Sequence, residues 1–112
     1  MKMDVIRDRG SLAREVEHER IENVFRLQLM NTEEKPRQVT IAVRGGAGLE
    51  DLEILSDPQP LEIAPVTTRM ITVRVRAEPH GHGSQPIEFV LSSPGSDGVP
   101  LTLREKSRFL IP

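Results

Sequence analysis

The sequence predicts an all-β chain folded as an antiparallel β-sandwich of about seven strands. Three observations predict it. Met70 to Ala77 alternates strictly, with Ile71, Val73, Val75 and Ala77 on one side and Thr72, Arg74 and Arg76 on the other. A period of two is the mark of a half-buried strand. Similar runs recur along the chain, and Pro/Gly-rich clusters separate them at roughly 8 to 15 residues. That spacing suits a sandwich and leaves no room for the crossover helices of βαβ units.

Met3 to Arg7 reads as a first strand, with Val5 or Ile6 inward, and Asp8-Arg9-Gly10-Ser11 as a turn. Leu12 to Glu17 reads as a second piece of the same edge strand, with a short helix over Leu12 to Arg20 as the alternative. Ile21 to Asn31 is a strand with Phe25, Leu27 and Leu29 on one face and Arg26, Gln28 and Met30 on the other. Asn31 to Pro36 is a polar turn, because Asn favours turn entry and Pro cannot donate to a ladder. Arg37 to Arg44 follows with Val39, Ile41 and Val43 inward, and these two strands are expected to form a hairpin.

Gly45-Gly46-Ala47-Gly48 is expected to leave the sheet. No Gly-Lys-Ser/Thr follows it, so it is read as a turn and not as a phosphate loop. Leu49 to Leu55 carries Leu52 and Ile54 as a short strand, and Ser56 to Pro60 breaks it. Leu61 to Ile63 is a short extended piece before the Met70 strand. Pro79 to Ser84 is a loop, and Pro86 to Ser92 is a strand with Ile87, Phe89 and Leu91 inward. Ser93 to Gly98 turns the chain into Leu101 to Phe109, with Leu101 and Leu103 inward. Glu105-Lys106-Ser107 interrupts the apolar alternation there and suggests a bulge.

The chain has 112 residues, which is the size of one domain. It is 37% hydrophobic and 29% charged, as a globular chain is and a disordered one is not. Fifteen Lys and Arg stand against seventeen Asp and Glu, a net charge of −2 that gives no reason to expect nucleic acid. There is no cysteine, so disulfides, zinc–thiolate sites and Cys-ligated clusters are excluded within these residues. Trp and Tyr are also absent. A Cys–Trp–Cys core and a tyrosine corner therefore cannot be built, and Phe25, Phe89 and Phe109 are the only aromatic core candidates. No apolar run approaches the roughly 20 residues of a membrane helix. Met1 to Asp4 has no apolar stretch of the signal-peptide kind, so the chain reads as a small soluble protein or an excised domain.

Chemistry-bearing residues are few. His80-Gly81-His82 is the one constellation of interest. Two imidazoles one residue apart can share Cu(II) or Zn(II), with Glu78 as the nearest further ligand, so His80 and His82 are the candidate metal residues. The competing reading is a polar hairpin loop. Met1, Met3, Met30 and Met70 offer soft sulfur for Cu(I), although Met30 and Met70 suit apolar cover at strand ends. The pairs Glu33-Glu34 and Glu50-Asp51 point to opposite faces of a strand and form no acid/base dyad. Arg74 and Arg76, with Thr72 and with Arg26 or Arg44 nearby, form a candidate basic strip; a solvated sheet face is the plainer reading. No Ser/His/Asp order is identifiable, and no catalytic residue is assigned.

Val5-Ile6-Arg7-Asp8-Arg9-Gly10-Ser11-Leu12, Ile21 to Asn31, Gly83 to Phe89 and Glu105 to Phe109 together carry a likeness to a family. In this order and spacing they resemble the C-terminal domain of the FixG/CcoG cytochrome c oxidase accessory proteins, over nearly the whole chain. The resemblance implies an immunoglobulin-like β-sandwich spanning residues 1–112. It implies excision from the C-terminus of a larger bacterial inner-membrane protein, and a domain on the periplasmic side. It also implies a role in the assembly and copper maturation of a haem–copper oxidase. The family's iron–sulfur clusters and membrane helices are expected in the missing part, and no cofactor is expected in this chain. A non-catalytic module that binds or positions a protein partner, or the rest of its own chain, is the reading that follows. A copper site built from His80, His82 and a Met is the alternative, and a purely structural cap is a third.

Overall fold

Alternation along the chain becomes two stacked sheets. The computed structural model describes residues 1–7, 14–16, 20–46, 49–80, 83–94 and 100–111, and no helix occurs among them. Among the described residues nine strands follow one another: β1 (Lys2–Arg7), β2 (Arg14–Val16), β3 (Arg20–Asn31), β4 (Arg37–Gly45), β5 (Leu49–Leu55), β6 (Leu61–Ile63), β7 (Thr67–Pro79), β8 (Gly83–Ser93) and β9 (Leu101–Ile111). One sheet runs β1-β3-β7-β5, with β2 also on β3; the other runs β6-β4-β8-β9. Every pairing is antiparallel. The sandwich has more strands than the expected seven because two short pieces, β2 and β6, each pair in their own right.

β1 and β2 share one edge of β3, since β7 occupies the other. The edge-strand reading of this segment therefore holds over Arg14–Val16, and the remainder of Leu12 to Glu19 lies outside the described residues. The expected hairpin of β3 with β4 does not form. The connection carries the chain from the first sheet to the second, and β3 pairs with β7 while β4 pairs with β6 and β8. The inner faces are apolar at their centres, Phe25, Leu27 and Leu29 on β3 and Val39 and Ile41 on β4, and facing each other across the core buries both where a hairpin would lay them side by side. The expected bulge at Glu105–Ser107 is also absent: β9 stays in one register with β8 from Leu101 to Ile111. Glu105 and Ser107 keep the inward positions of the alternation, but Glu105 is exposed there, because β9 is an edge and the space between the sheets is open beside it. A register shift does occur in β5, between Glu50 and Glu53, where Asp51 takes a positive φ of 51°.

The core comes from the inner rows. Phe25, Leu27 and Leu29 of β3 and Val73, Val75 and Ala77 of β7 face Val39 and Ile41 of β4, Phe89 and Leu91 of β8, and Phe109 of β9, all buried. Phe25 and Phe89 meet across the sheets edge to face, with ring centroids 5.1 Å apart. That geometry suits the ring quadrupoles and adds about 0.5–1.5 kcal/mol beyond area burial.

Side-chain amides finish what the ladders leave open. The Asn23 side chain, 3% exposed, accepts from the Leu110 N–H at 2.8 Å and donates to the Leu110 carbonyl at 3.0 Å. It thus pairs with the outer edge of β9 as a neighbouring strand would. Gln59 does the same for β4 beyond the end of β6, accepting from Ile41 N–H at 2.8 Å and donating to its carbonyl at 3.2 Å. Asn31 donates to the carbonyls of Lys35, Ile63 and Ala64 and accepts from Glu33 N–H. Replacing Asn23 with Leu keeps the volume but strips both Leu110 groups of their partners. We expect Asn23→Leu to lower unfolding stability by roughly 2–4 kcal/mol, read as a fall in urea midpoint with an unchanged slope. An unchanged midpoint would show that the amide bridge contributes nothing.

Candidate functional site

Of the candidate metal residues, His80 directly follows the end of β7. His80 is half-exposed, and its Nε2 lies 3.2 Å from Glu50 Oε2 on β5. Glu78 stands opposite Glu50 in the β5–β7 register. His82 lies outside the described residues. Among the described residues no group of three or more His, Asp or Glu side chains is arranged to hold a metal ion. Of the candidate sulfur ligands, Met3 is buried in the core while Met70 is exposed on the outer face of its sheet.

The outer face of the first sheet carries the expected basic strip in part. Arg74 and Arg76 share it with Thr72, and Arg26 stands directly opposite Thr72. Arg44 is on the other sheet. Arg76 donates through Nε to Glu22 Oε2 at 2.8 Å, and the Glu22 side chain is only 1% exposed. Arg20 reaches over the end of β7 to Glu53 Oε2 at 2.7 Å and to the Asp51 carbonyl at 2.6 Å, pinning the β5 bulge. Arg76 and Arg20 on this face thus serve the fold.

The outer face of the second sheet is different. Rows across β4, β8 and β9 read Arg44–Glu88–Lys106, Ala42–Val90–Arg104 and Thr40–Ser92–Thr102, with Arg108 opposite Pro86. Four cations stand there with one carboxylate, Glu88; Glu62 of β6 lies at the far edge beside Gln38. No ion pair joins Arg44, Arg104 or Lys106 to a carboxylate among the described residues. Arg108 donates to the hydroxyl and the carbonyl of Ser84, at 2.6 and 2.9 Å. A shallow groove of about 540 Å³ opens between Arg44, Pro86, Glu88, Lys106 and Arg108. A second, smaller groove beside β9 is lined by Val5, Ile6, Arg7, Ser107 and Arg108. This face is missing from the sequence reading of β9, which rests on the inward Leu101 and Leu103, on Phe109 and on a bulge at Glu105–Ser107. The signal was present in the even spacing of Arg104, Lys106 and Arg108.

Comparison with known proteins places the chain. Residues 1–112 match the family described as "IG-like fold at C-terminal of FixG, putative oxidoreductase". The chain belongs to the FixG C-terminal domain family. A crystal structure of a FixG-related protein from Vibrio parahaemolyticus superposes with a TM-score of 0.75 over 97% of this chain and 94% of that one. At 23% identity this likeness is one of fold, and it agrees with the immunoglobulin-like sandwich. A protein from Archaeoglobus fulgidus, 13% identical, covers 100% of this chain and 97% of its own, but its TM-score of 0.45 carries no argument. No curated protein sequence matches the chain.

The described residues of the blocks that carry the FixG likeness lie on β1, β3, β8 and β9, and Asp8 to Leu12 of the first block lie outside the described residues. Within them Asn23 and Asn31 close backbone edges and Glu22 holds Arg76, so much of what is distinctive in this domain serves the fold. The two arginines of this outer face can be told apart by substitution. Arg76→Met should cost roughly 1.5–3 kcal/mol, because it removes a charged hydrogen bond from a buried carboxylate. Arg74→Met, in the same strand and exposed, should stay within about 0.5 kcal/mol. Chemical denaturation of both variants checks this, and equal losses would contradict the distinction.

Proposed function

We propose that this FixG C-terminal domain is a non-catalytic protein-interaction or positioning module. In this reading it is one domain over residues 1–112, carried at the end of a longer inner-membrane protein, on the periplasmic side. It serves the assembly and copper maturation of a haem–copper cytochrome c oxidase. Electron transfer belongs to iron–sulfur clusters elsewhere in that protein, since this chain has no cysteine to ligate them. Its partner is a protein of the assembly machinery or another part of its own chain.

The observation that carries the reading is the pairing of family with surface. An immunoglobulin-like body with a solid aliphatic core offers sheet faces and edges, which are the contact surfaces such modules use. One of those faces holds cations that its own carboxylates leave without ion pairs. Fold alone does not assign a function, so the argument rests on that face and on the family.

Deleting residues 1–112 from the full-length protein tests the proposal. Oxidase copper content and assembled oxidase should fall while the level of the remaining membrane protein stays unchanged. Unchanged oxidase would sink the interaction role. A fall in the membrane protein itself would make the domain a structural cap.

A further inference from the structure

We propose that β9 is an acceptor edge for an acidic, extended segment of a partner protein, which adds antiparallel to it as a further strand of the second sheet. This rests on the interaction-module reading above and gives it a place and a chemistry.

Among the described residues four strands or strand pairs leave an edge unpaired, and they are unequal. β1 has six residues, β5 has seven and a bulge, β6 has three, and β9 has eleven in unbroken register with β8. Short and bulged edges resist pairing, whereas a long regular edge invites it. The backbone groups of Leu110 face away from β8, because both bond to Asn23. Alternation then turns the N–H and C=O of Arg108, Lys106, Arg104 and Thr102 to the same open side. Asn23 marks where that open run stops. Glu105 is exposed although it occupies an inward position, so the space beside β9 is open there.

Charge decides what fits. The residues whose backbone faces the open edge are the ones whose side chains stand on the cationic outer face. A strand laid antiparallel along β9 would put its own outward side chains opposite Arg104, Lys106 and Arg108, about 4.5–5.5 Å away between Cβ atoms. Carboxylates there would meet three cations, with Arg44 one row behind Glu88. A second copy of this chain is the wrong occupant, because pairing β9 with β9 sets these cations against each other. The whole chain carries −2, so the positive face is a local feature and not a consequence of net charge. Intervening residues of the guest would lie over the groove lined by Val5, Ile6 and Arg7, where Ile6 is 45% exposed and apolar side chains would cover it.

The test uses the 112-residue chain labelled with ¹⁵N and a blocked octapeptide of alternating glutamate and valine. Titration at low salt should move the amide signals of Thr102 to Arg108 saturably. Arg104→Glu/Lys106→Glu should weaken binding at least about tenfold, and Arg104→Gln/Lys106→Gln by less. Arg74→Glu, on the opposite sheet, should change nothing. A peptide N-methylated at its glutamates keeps the charge but loses the donors facing β9, and should also bind at least about tenfold more weakly. Equal binding by the methylated peptide would reduce the site to nonspecific charge attraction and overturn the proposal. Shifts absent from β9, or spread over both sheets, would overturn it too. These outcomes are independent of the oxidase phenotype: a deletion that impairs oxidase alongside a silent titration removes this edge and leaves the module reading standing.

Discussion

A backbone hydrogen-bond ladder cannot stop inside a protein without something else taking over. That constraint organises this sandwich. Strands β6 and β1 are too short to cover their neighbours, so Gln59 pairs with Ile41 past the end of β6 and Asn23 pairs with Leu110 across the gap between sheets. Asn31 gathers three carbonyls where β3 ends near β6. Each amide supplies one donor and one acceptor group in the geometry of a peptide, which a hydroxyl or a carboxylate cannot match at both groups. Among the described residues, no buried side-chain nitrogen or oxygen is left without a partner. The aliphatic rows and the Phe25–Phe89 contact supply the driving force, and the amides let the sheets stop where they do.

What the residues disclosed follows from how local the physics is. Alternation is local, so the inward rows of β3, β4, β7 and β8 could be read from their own residues, as could Phe25, Phe89 and Phe109 as core. Pairing is not local. Nothing in Asn31 to Arg37 says whether the chain turns back in the same sheet or crosses to the other, and the hairpin expectation failed on that choice. Glu105 and Ser107 looked like a broken alternation, yet period two persists through them at an edge where an inward position need not be apolar. The sequence names no partner for Asn23 or Glu22. Their roles depend on Leu110 and Arg76, 87 and 54 positions away.

The candidate site shows the same division. His80-Gly81-His82 drew attention because its residues are adjacent, and the structure sets His80 beside Glu50. The cationic face of β4, β8 and β9 draws on three segments, and only register aligns Arg44, Lys106 and Arg104. The contrast with the first sheet gives this face its meaning. There Arg76 and Arg20 are bound to carboxylates of the same molecule. Unequal use of arginine distinguishes the two sides of this FixG C-terminal domain.

The account turns on β9 being an open edge except where Asn23 closes it. Amide hydrogen exchange in the native chain reads this directly, residue by residue. The Leu110 amide should exchange slowly, while the amides of Arg104, Lys106 and Arg108 exchange fast and those of Leu103 and Phe109, facing β8, are protected. Uniform protection along β9 would mean that its edge is already covered, and uniform fast exchange that neither the β8 ladder nor the Asn23 bridge holds.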